Sequence, residues 1–278
     1  PETGTTKSEV IAYYAAAAPA ILPHLRRRPL TLKRYPNGVN GKFFYEKRCP
    51  SHKPDWVNTV PVWSERLQNE LFFCSADDQA TLVWVANLGS IELHTLLSTA
   101  EDVNRPTMIA LDMDPGLPAD VFSAAEVALR LKAVLEKLGL ESFVKTSGSK
   151  GMHMYVPLNM KDVTFDDTKT FARELASRLT QEQPDRVTDN MRKDLRTGKV
   201  FVDWSQNDVH KTTVCVYSLR ARAHPTVSTP VTWAEVKTAV KKRDLKLLTF
   251  EYPETLKRIE KKGDLFSRVL TLKQRLPV

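Results

Sequence analysis

Cysteine is scarce in this chain of 278 residues, where only Cys49, Cys74 and Cys215 occur. No two of them have the spacing of zinc ligands, and the odd number argues against a disulfide framework. We therefore expect a reducing, cytoplasmic setting. The sequence also lacks a signal peptide and any apolar run near the ~20 residues of a membrane span, so we expect no membrane partner. The first residue is Pro1 rather than Met, which predicts a trimmed piece of a longer protein.

Three catalytic motifs are missing as well. The absence of GxSxG, HExxH and GxxxxGK[ST] argues against a serine-hydrolase triad, a zincin and a Walker A loop. What the chain does have is positive charge, with 41 Lys and Arg against 33 Asp and Glu and a net charge of +8. This surplus indicates polyanionic partners, with nucleic acid first, although a generic solvated basic surface is the alternative.

The pattern of apolar residues predicts short strands mixed with isolated helices. The clearest helix spans 119–138 and ends at Gly139. A helix that begins after Thr5 and Thr6 is expected to break or kink at its prolines. Further helices are predicted at 167–181, 232–242 and 254–274, and strands at 59–63, 71–74, 81–86, 143–146, 152–158, 200–204 and 213–222. This mixture predicts an α+β fold in a single domain over residues 1–278.

Two aspartates follow the apolar run 106–110 in the segment LDMDPG. Side chains alternate along a strand, so Asp112 and Asp114 project from the same face. Asp203 stands at the end of the strand 200–204 and adds a third acid. Three acids on strands suit a site for two divalent cations ~4 Å apart. Taken singly, each Asp is better explained as a turn former or a salt-bridge partner.

A turn rich in glycine and serine, SGSKGMH, joins two predicted strands. Its backbone N–H groups and the side chains of Ser147, Ser149 and Lys150 are suitable donors for phosphate oxygens, although a tight hairpin with a solvated lysine fits the turn too. Arg220 and Arg222 alternate on another segment and could also contact phosphate or lie on a solvated face.

Together these segments resemble the polymerase domain of bacterial DNA ligase D, a member of the archaeo-eukaryotic primase superfamily that serves non-homologous end joining. Stand-alone relatives without fused ligase and nuclease domains are similar. The resemblance extends over residues 4–233 and lies in GTTKSEVIAYYA, LPHL, LKRYPNGV, IELH, LDMDPG, TSGSKGMHMYVPL, VFVDWSQN and KTTVCVYSLRARAHPTVSTPVTW. It implies a primase-polymerase fold with mixed and antiparallel central sheets flanked by helices.

The resemblance also implies a role for individual residues. Asp112, Asp114 and Asp203 match the catalytic, metal-binding acids. The positions that match nucleotide-binding residues are Lys33, Phe44 as the base-stacking aromatic with Phe43 as its alternative, His94, Ser147, His153 and Arg220. Lys7 matches a lysine that contacts the 5′-phosphate of downstream DNA, although a further basic residue usual before this segment has no counterpart after Pro1.

The implied activity is template-directed nucleotidyl transfer that fills short gaps and extends 3′ ends, with two Mn²⁺ or Mg²⁺ ions and a preference for ribonucleotides. The implied partners are DNA ends, gapped DNA with a 5′-phosphate, NTP or dNTP, a DNA ligase and the end-binding protein Ku, in the bacterial nucleoid. Two alternatives use the same fold. A primase would begin strands de novo, and a non-catalytic module would only bind DNA ends; the three clustered acids argue against such a binder.

Overall fold

The structure is a computed structural model that describes residues 3–277, and Pro1, Glu2 and Val278 lie outside it. It divides into two compact units. Unit 1 holds the described residues through 103 with 212–228 and 251–264, and unit 2 holds 104–211, 229–250 and those from 265 on. Whether residues 1–278 form a single domain depends on both units together, so the single domain stays a prediction.

Helices and sheets are mixed along the chain, which confirms the α+β prediction. The α-helices are α1 (Lys7–Leu25), α2 (Gln79–Asn87), α3 (Val121–Lys137), α4 (Phe165–Glu182), α5 (Trp233–Lys242) and α6 (Tyr252–Lys262). The strands are β1 (Leu30–Arg34), β2 (Phe44–Glu46), β3 (Thr59–Ser64), β4 (Asn69–Cys74), β5 (Ser90–Thr95), β6 (Ser98–Thr99), β7 (Asp102–Pro106), β8 (Met108–Pro115), β9 (Phe143–Thr146), β10 (Met152–Pro157), β11 (Val187–Thr188), β12 (Val200–Asp203), β13 (Thr213–Val214) and β14 (Pro230–Val231).

Unit 1 contains an antiparallel sheet with the strand order β13-β5-β1-β4-β3, and β2 also pairs with β1. Leu30 and Leu32 of β1 and Leu93 of β5 are buried in its core. The residues between them point to the opposite face because side chains alternate along a strand. Lys33 lies opposite Glu92 there, and Thr31 lies opposite His94.

Unit 2 contains a sheet with the order β11-β12-β8-β10-β9-β14, antiparallel except for the parallel β11–β12 pair. One face is apolar and belongs to a core shared with α3, α4 and α5. Ile109, Leu111 and Met113 of β8 are fully buried in that core. Asp112 and Asp114 therefore point from the other face, as the alternation predicts.

Helix α1 runs on past Pro19 and Pro23 to Leu25, so of the predicted break or kink, the break is wrong. A proline inside a helix leaves the carbonyl four residues earlier without its usual N–H donor. Here that carbonyl belongs to Ala15, and the side-chain amide of Gln79 donates to it at 3.1 Å. A contact from α2 thus replaces the lost hydrogen bond.

The segment 81–86 is helical, and the predicted strand there is wrong. Its β-branched and aromatic residues favour strands. Asp78, however, caps α2 by accepting a hydrogen bond from the backbone N–H of Thr81 at 2.7 Å. The cap and the burial of Leu82, Val85 and Ala86 on one helix face override the local preference.

Two further predictions are too long. Of the strand at 213–222, only Thr213–Val214 forms a strand, and Leu219 makes an isolated bridge to Val227. Tyr217 between them has a left-handed backbone with φ of 62°, which interrupts the extended structure. Of the helix at 254–274, α6 stops before Gly263, whose φ is 66°, and a short 3-10 turn, Ser267–Leu270, follows.

A disulfide joins Cys49 and Cys74, which corrects the argument against disulfides that rests on the odd number of cysteines. The odd residue is Cys215, which is buried. The pair meets because β4 ends beside the start of the 47–58 loop, where the N–H of Cys49 donates to the carbonyl of Phe72. Within residues 3–277, no helix has the length and apolar character that crossing a membrane requires.

Gly151 of unit 2 lies in close contact with the backbone of the strand that carries Asp112 and Asp114. A Cβ atom there would lie 2.2 Å from the carbonyl oxygen of Met113 on β8. We expect Gly151→Ala to lower the free energy of unfolding by about 2 kcal/mol, as overpacking does. Gly139→Ala, where φ is 74° but the space is open, should cost about 1 kcal/mol. Urea unfolding measures both, and equal losses would contradict the close approach.

Candidate active site

A row of four polar side chains crosses the unit 2 sheet on the face opposite its apolar core. Lys145 pairs with His153, His153 with Asp112, and Asp112 with Asp203, one residue from each of β9, β10, β8 and β12. Directly opposite residues of antiparallel strands share a face with Cβ atoms about 4.5–5.5 Å apart. We call Lys145, His153, Asp112 and Asp203 the carboxylate row. Asp114 lies two residues further along β8, on the same face.

Hydrogen bonds hold Asp203 at the end of its strand. Its Oδ1 accepts from the backbone N–H of Ser205 at 3.0 Å and from the hydroxyl of the same residue, and its Oδ2 accepts from Gln206 Nε2 at 2.8 Å. These donors lie in the 3-10 turn Trp204–Gln206. The carboxylate orientation therefore follows from the turn that ends β12.

Cations flank Asp114 on the same face. Lys150 Nζ lies 3.1 Å from its Oδ1, and Arg196 Nη1 lies 4.0 Å from its Oδ2. The guanidinium of Arg196 also sits 3.6 Å above the Phe201 ring, which fixes it. Asp114 is thus charge-compensated by two side chains that could equally contact phosphate oxygens.

The three acids fit a divalent cation in their chemistry and in their strand register. Carboxylate oxygens are the ligands that Mg²⁺ and Mn²⁺ prefer. In the conformation described for residues 3–277, no group of three or more His, Cys, Asp and Glu is gathered as a metal cluster. Each carboxylate offers about four acceptor sites, so the protein donors above do not exhaust it.

Lys145 is the member of the carboxylate row that sequence reasoning missed. It is fully buried, and its Nζ lies 3.2 Å from Nδ1 of His153. An ammonium at Lys145 only donates, which would make Nδ1 the acceptor and leave the ring proton on Nε2. That Nε2 lies 3.4 Å from Oδ1 of Asp112. A lysine in the middle of a buried strand, as in FVKT, is the signal that could have identified it.

Ser147 organises the turn between β9 and β10. Its Oγ accepts from the backbone N–H groups of Ser149 and Gly151, both at 3.1 Å, and its own N–H donates to the carbonyl of Gly151 at 2.9 Å. The hydroxyl therefore has a structural duty besides any contact with a ligand. The turn is the predicted tight hairpin, and its binding of an anion stays a prediction.

In unit 1, a buried glutamate gathers three of the predicted nucleotide residues. Glu92 lies 3.2 Å from Lys33 Nζ, 3.1 Å from His94 Nε2 and 3.2 Å from Arg220 Nε. We call these four residues the Glu92 cluster. Burial alone would raise the pKa of Glu92, but the hydrogen bond from His94 and the charges of Arg220 and Lys33 hold that pKa well below its ordinary value.

The pKa of His94 is lowered, first by burial and further by the charges of Arg220 and Lys33, while Glu92 opposes the shift. The ring is therefore neutral near pH 7. A carboxylate only accepts, so the nitrogen that faces Glu92, Nε2, carries the proton. The other nitrogen, Nδ1, is then an acceptor.

Aromatic rings surround the ammonium of Lys33 on the same face. Its Nζ lies 4.5 Å from the ring centre of Phe43, 5.3 Å from that of Tyr35 and 5.6 Å from that of Tyr45. Phe44 is not among them, because it pairs with Arg34 on the opposite face, 5.3 Å from that guanidinium. The structure therefore does not bring Phe44 to the cluster, and its alternative, Phe43, is there.

Lys7 opens α1 and lines a cavity of about 350 Å³ in unit 1. Arg34, Arg220 and Arg222 also line it, and none of the described residues of its wall is acidic. Arg34 is paired with Glu46 at 2.8 Å. The cavity joins the predicted phosphate-contacting lysine to both arginines of the segment 220–222, which suits an anion.

A family model described as the LigD primase-polymerase domain matches residues 6–266. The chain belongs to this family. It is 39% identical over 269 residues to the multifunctional non-homologous end joining protein LigD of Mycolicibacterium smegmatis, covering 96% of this chain and 34% of that protein. The bifunctional LigD of Bacillus subtilis is 31% identical over 258 residues, 93% of this chain and 40% of that protein.

A solved structure agrees. The polymerase domain from Mycobacterium tuberculosis ligase D in complex with DNA matches with a TM-score of 0.88 at 38% identity, over 98% of this chain and 94% of that chain. The predicted family and the primase-polymerase fold are thereby confirmed. The chain spans about a third of the length of the mycobacterial relatives.

Glu92 is the other residue of this primase-polymerase domain that sequence reasoning missed. The segment IELH was noted for His94 alone, although strand alternation places Glu92 on the same face two residues earlier. A buried acid beside a histidine on one strand face is a signal that the sequence carries. Its partners Lys33 and Arg220 lie far away along the chain, and only the fold brings them close.

The lowered pKa of His94 makes a prediction about stability. A folded-state pKa below the unfolded one stabilises the fold at high pH and loses that contribution as pH falls. From about pH 7.5 to pH 5.5, around the ordinary histidine pKa of about 6.5, the melting temperature should fall. It should fall less in His94→Gln, whereas His52→Gln, an exposed histidine, should keep the wild-type slope. A steeper slope in His94→Gln would contradict this.

Proposed function

We propose that this chain is a template-directed nucleotidyltransferase that fills short gaps and extends 3′ ends during non-homologous end joining. The observation that carries the proposal is the register of unit 2, which sets Asp112 opposite Asp203 with Asp114 two residues along the same face. Membership of the LigD primase-polymerase family adds a polymerase chemistry to that geometry. The structural relative bound to DNA adds DNA as the substrate class.

Asp112, Asp114 and Asp203 would hold two divalent cations, Mn²⁺ or Mg²⁺. Such ions lower the pKa of a primer 3′-hydroxyl and neutralise charge on a triphosphate and its leaving pyrophosphate. His153 would donate its Nε2 proton to a phosphate oxygen while Lys145 holds Nδ1. The Ser147 turn and Lys150 would add phosphate donors, and these contacts gain strength in a site that excludes water.

Unit 1 carries its own set of candidate nucleotide contacts. Lys33 and Arg220 would bind phosphate oxygens, and His94, neutral with Nδ1 as an acceptor, would receive a hydroxyl or N–H donor. Phe43 would stack on the base, because it is half-exposed and lies beside Lys33. A preference for ribonucleotides belongs to the proposal and agrees with a neutral His94 that accepts from a sugar hydroxyl.

The basic cavity at Lys7 would bind the 5′-phosphate at the downstream side of a gap. Whole LigD relatives are described as end-joining proteins, so a DNA ligase and the end-binding protein Ku are proposed partners. A primase and a non-catalytic end-binding module are the outcomes that the next experiment separates from gap filling.

Asp112→Asn should abolish templated incorporation while leaving DNA binding intact. Loss of a metal ligand removes several kcal/mol of charge stabilisation, which is a fall of about 100-fold or more. The measurement is extension of a labelled primer across a short gap with Mn²⁺ or Mg²⁺ and with ribo- or deoxynucleotides. Asp166→Asn, an exposed acid on α4, is the matched control.

Retained incorporation in Asp112→Asn would refute the metal assignment. No incorporation by the wild-type chain, with tight DNA binding, would identify an end-binding module. Synthesis on single-stranded template without any primer would identify a primase.

Lys7→Ala should weaken binding to gaps with a 5′-phosphate by about tenfold, the effect of one charged hydrogen bond of about 1.4 kcal/mol. Binding to the same gap without the phosphate should change little. Fluorescence anisotropy at fixed salt measures both, with Lys137→Ala, an exposed lysine at the end of α3, as the control. An equal loss on the two DNAs would contradict this role.

A further inference from the structure

We propose that Glu92 is a positioning residue that aligns Lys33, His94 and Arg220 for the phosphates and sugar of the incoming nucleotide. The inference rests on the proposed function and assigns a duty to a residue that itself contacts no ligand. It concerns unit 1 alone.

The carboxylate of Glu92 is surrounded by protein donors and cations. Oε1 accepts from Lys33 Nζ and from the backbone N–H of Ala221, both at 3.2 Å, and Oε2 faces His94 Nε2 and Arg220 Nε. Lys33, Ala221 and His94 hydrogen-bond the carboxylate. Arg220 Nε adds an ion pair at 3.2 Å, although Nε itself is not aligned for a hydrogen bond. Glu92 is also only 2% exposed. It therefore acts through its partners rather than on a ligand.

The partners come from three places along the chain. Lys33 is set by the β1–β5 register and His94 by the strand that also carries Glu92. Arg220 lies in a segment outside the regular strands, where the N–H of Arg220 donates to the carbonyl of Thr226. Lysine and arginine have many rotamers, so a buried acceptor that holds their end groups prepares the site before a ligand arrives.

Charge explains why the acceptor is an acid. Two cations at close range repel each other, and burial makes that repulsion stronger. One carboxylate offsets the repulsion between Lys33 and Arg220, and His94 stays neutral. The cluster then keeps one net positive charge, which favours an anionic ligand. A neutral residue at 92 would leave the two cations to move apart.

The test compares Glu92→Gln with Glu92→Asp. We expect Glu92→Gln to raise the Kd for a nucleoside triphosphate, measured by calorimetry with Mn²⁺, by about tenfold, while kcat at saturation falls much less. Glu92→Asp keeps the charge but shortens the reach, so it should fold like wild type and still lose several-fold in affinity. Glu101→Gln, an exposed glutamate paired with Arg27, is the matched control.

A merely structural role has a different signature. Partial unfolding would lower the number of binding sites and leave the Kd of the remaining sites unchanged. Wild-type Kd in folded Glu92→Gln, or in Glu92→Asp if the first variant does not fold, overturns the inference. If the wild-type protein binds nucleotide but performs no templated incorporation, the proposed polymerase activity is overturned. The Kd values of wild type and Glu92 variants then still test the positioning role of Glu92. Absence of nucleotide binding by the wild type overturns both.

Discussion

Like charges that are brought together repel, and each candidate site of this chain is arranged around that constraint. In unit 2, three aspartates share one sheet face, and each has a protein donor or cation beside it. In unit 1, the arrangement is reversed, because Lys33 and Arg220 converge on the single acid Glu92. A buried charge without such a partner would destabilise the fold.

Strand alternation makes these arrangements compatible with a stable core. On β8, Leu111 and Met113 bury their side chains against the helices, and Asp112 and Asp114 between them point the other way. The same strand thus buries apolar side chains on one face and presents the candidate metal-binding aspartates on the other. Because strands hold their register, side chains on strands are positioned more precisely for binding a metal ion than side chains on loops.

Close backbone approach adds a further restriction at the turn after β9. Gly151 lies against the carbonyl of Met113, and Ser147 accepts two N–H groups within the turn. The turn is therefore in direct backbone contact with β8, the strand that carries Asp112 and Asp114. Its sequence predicts a phosphate-binding loop. Its geometry shows a tight hairpin that is part of the sheet.

The sequence by itself determined the family, the α+β class and the face of β8 that carries Asp112 and Asp114, because strand alternation is a local rule. Local rules failed at 81–86, where the Asp78 cap and burial in the tertiary fold made a helix of residues that favour strands. Only the tertiary structure paired Cys49 with Cys74, placed Phe43 rather than Phe44 beside Lys33, and joined Glu92 to Arg220. These contacts link residues far apart along the chain, and their energies depend on burial and charge that exist only after folding.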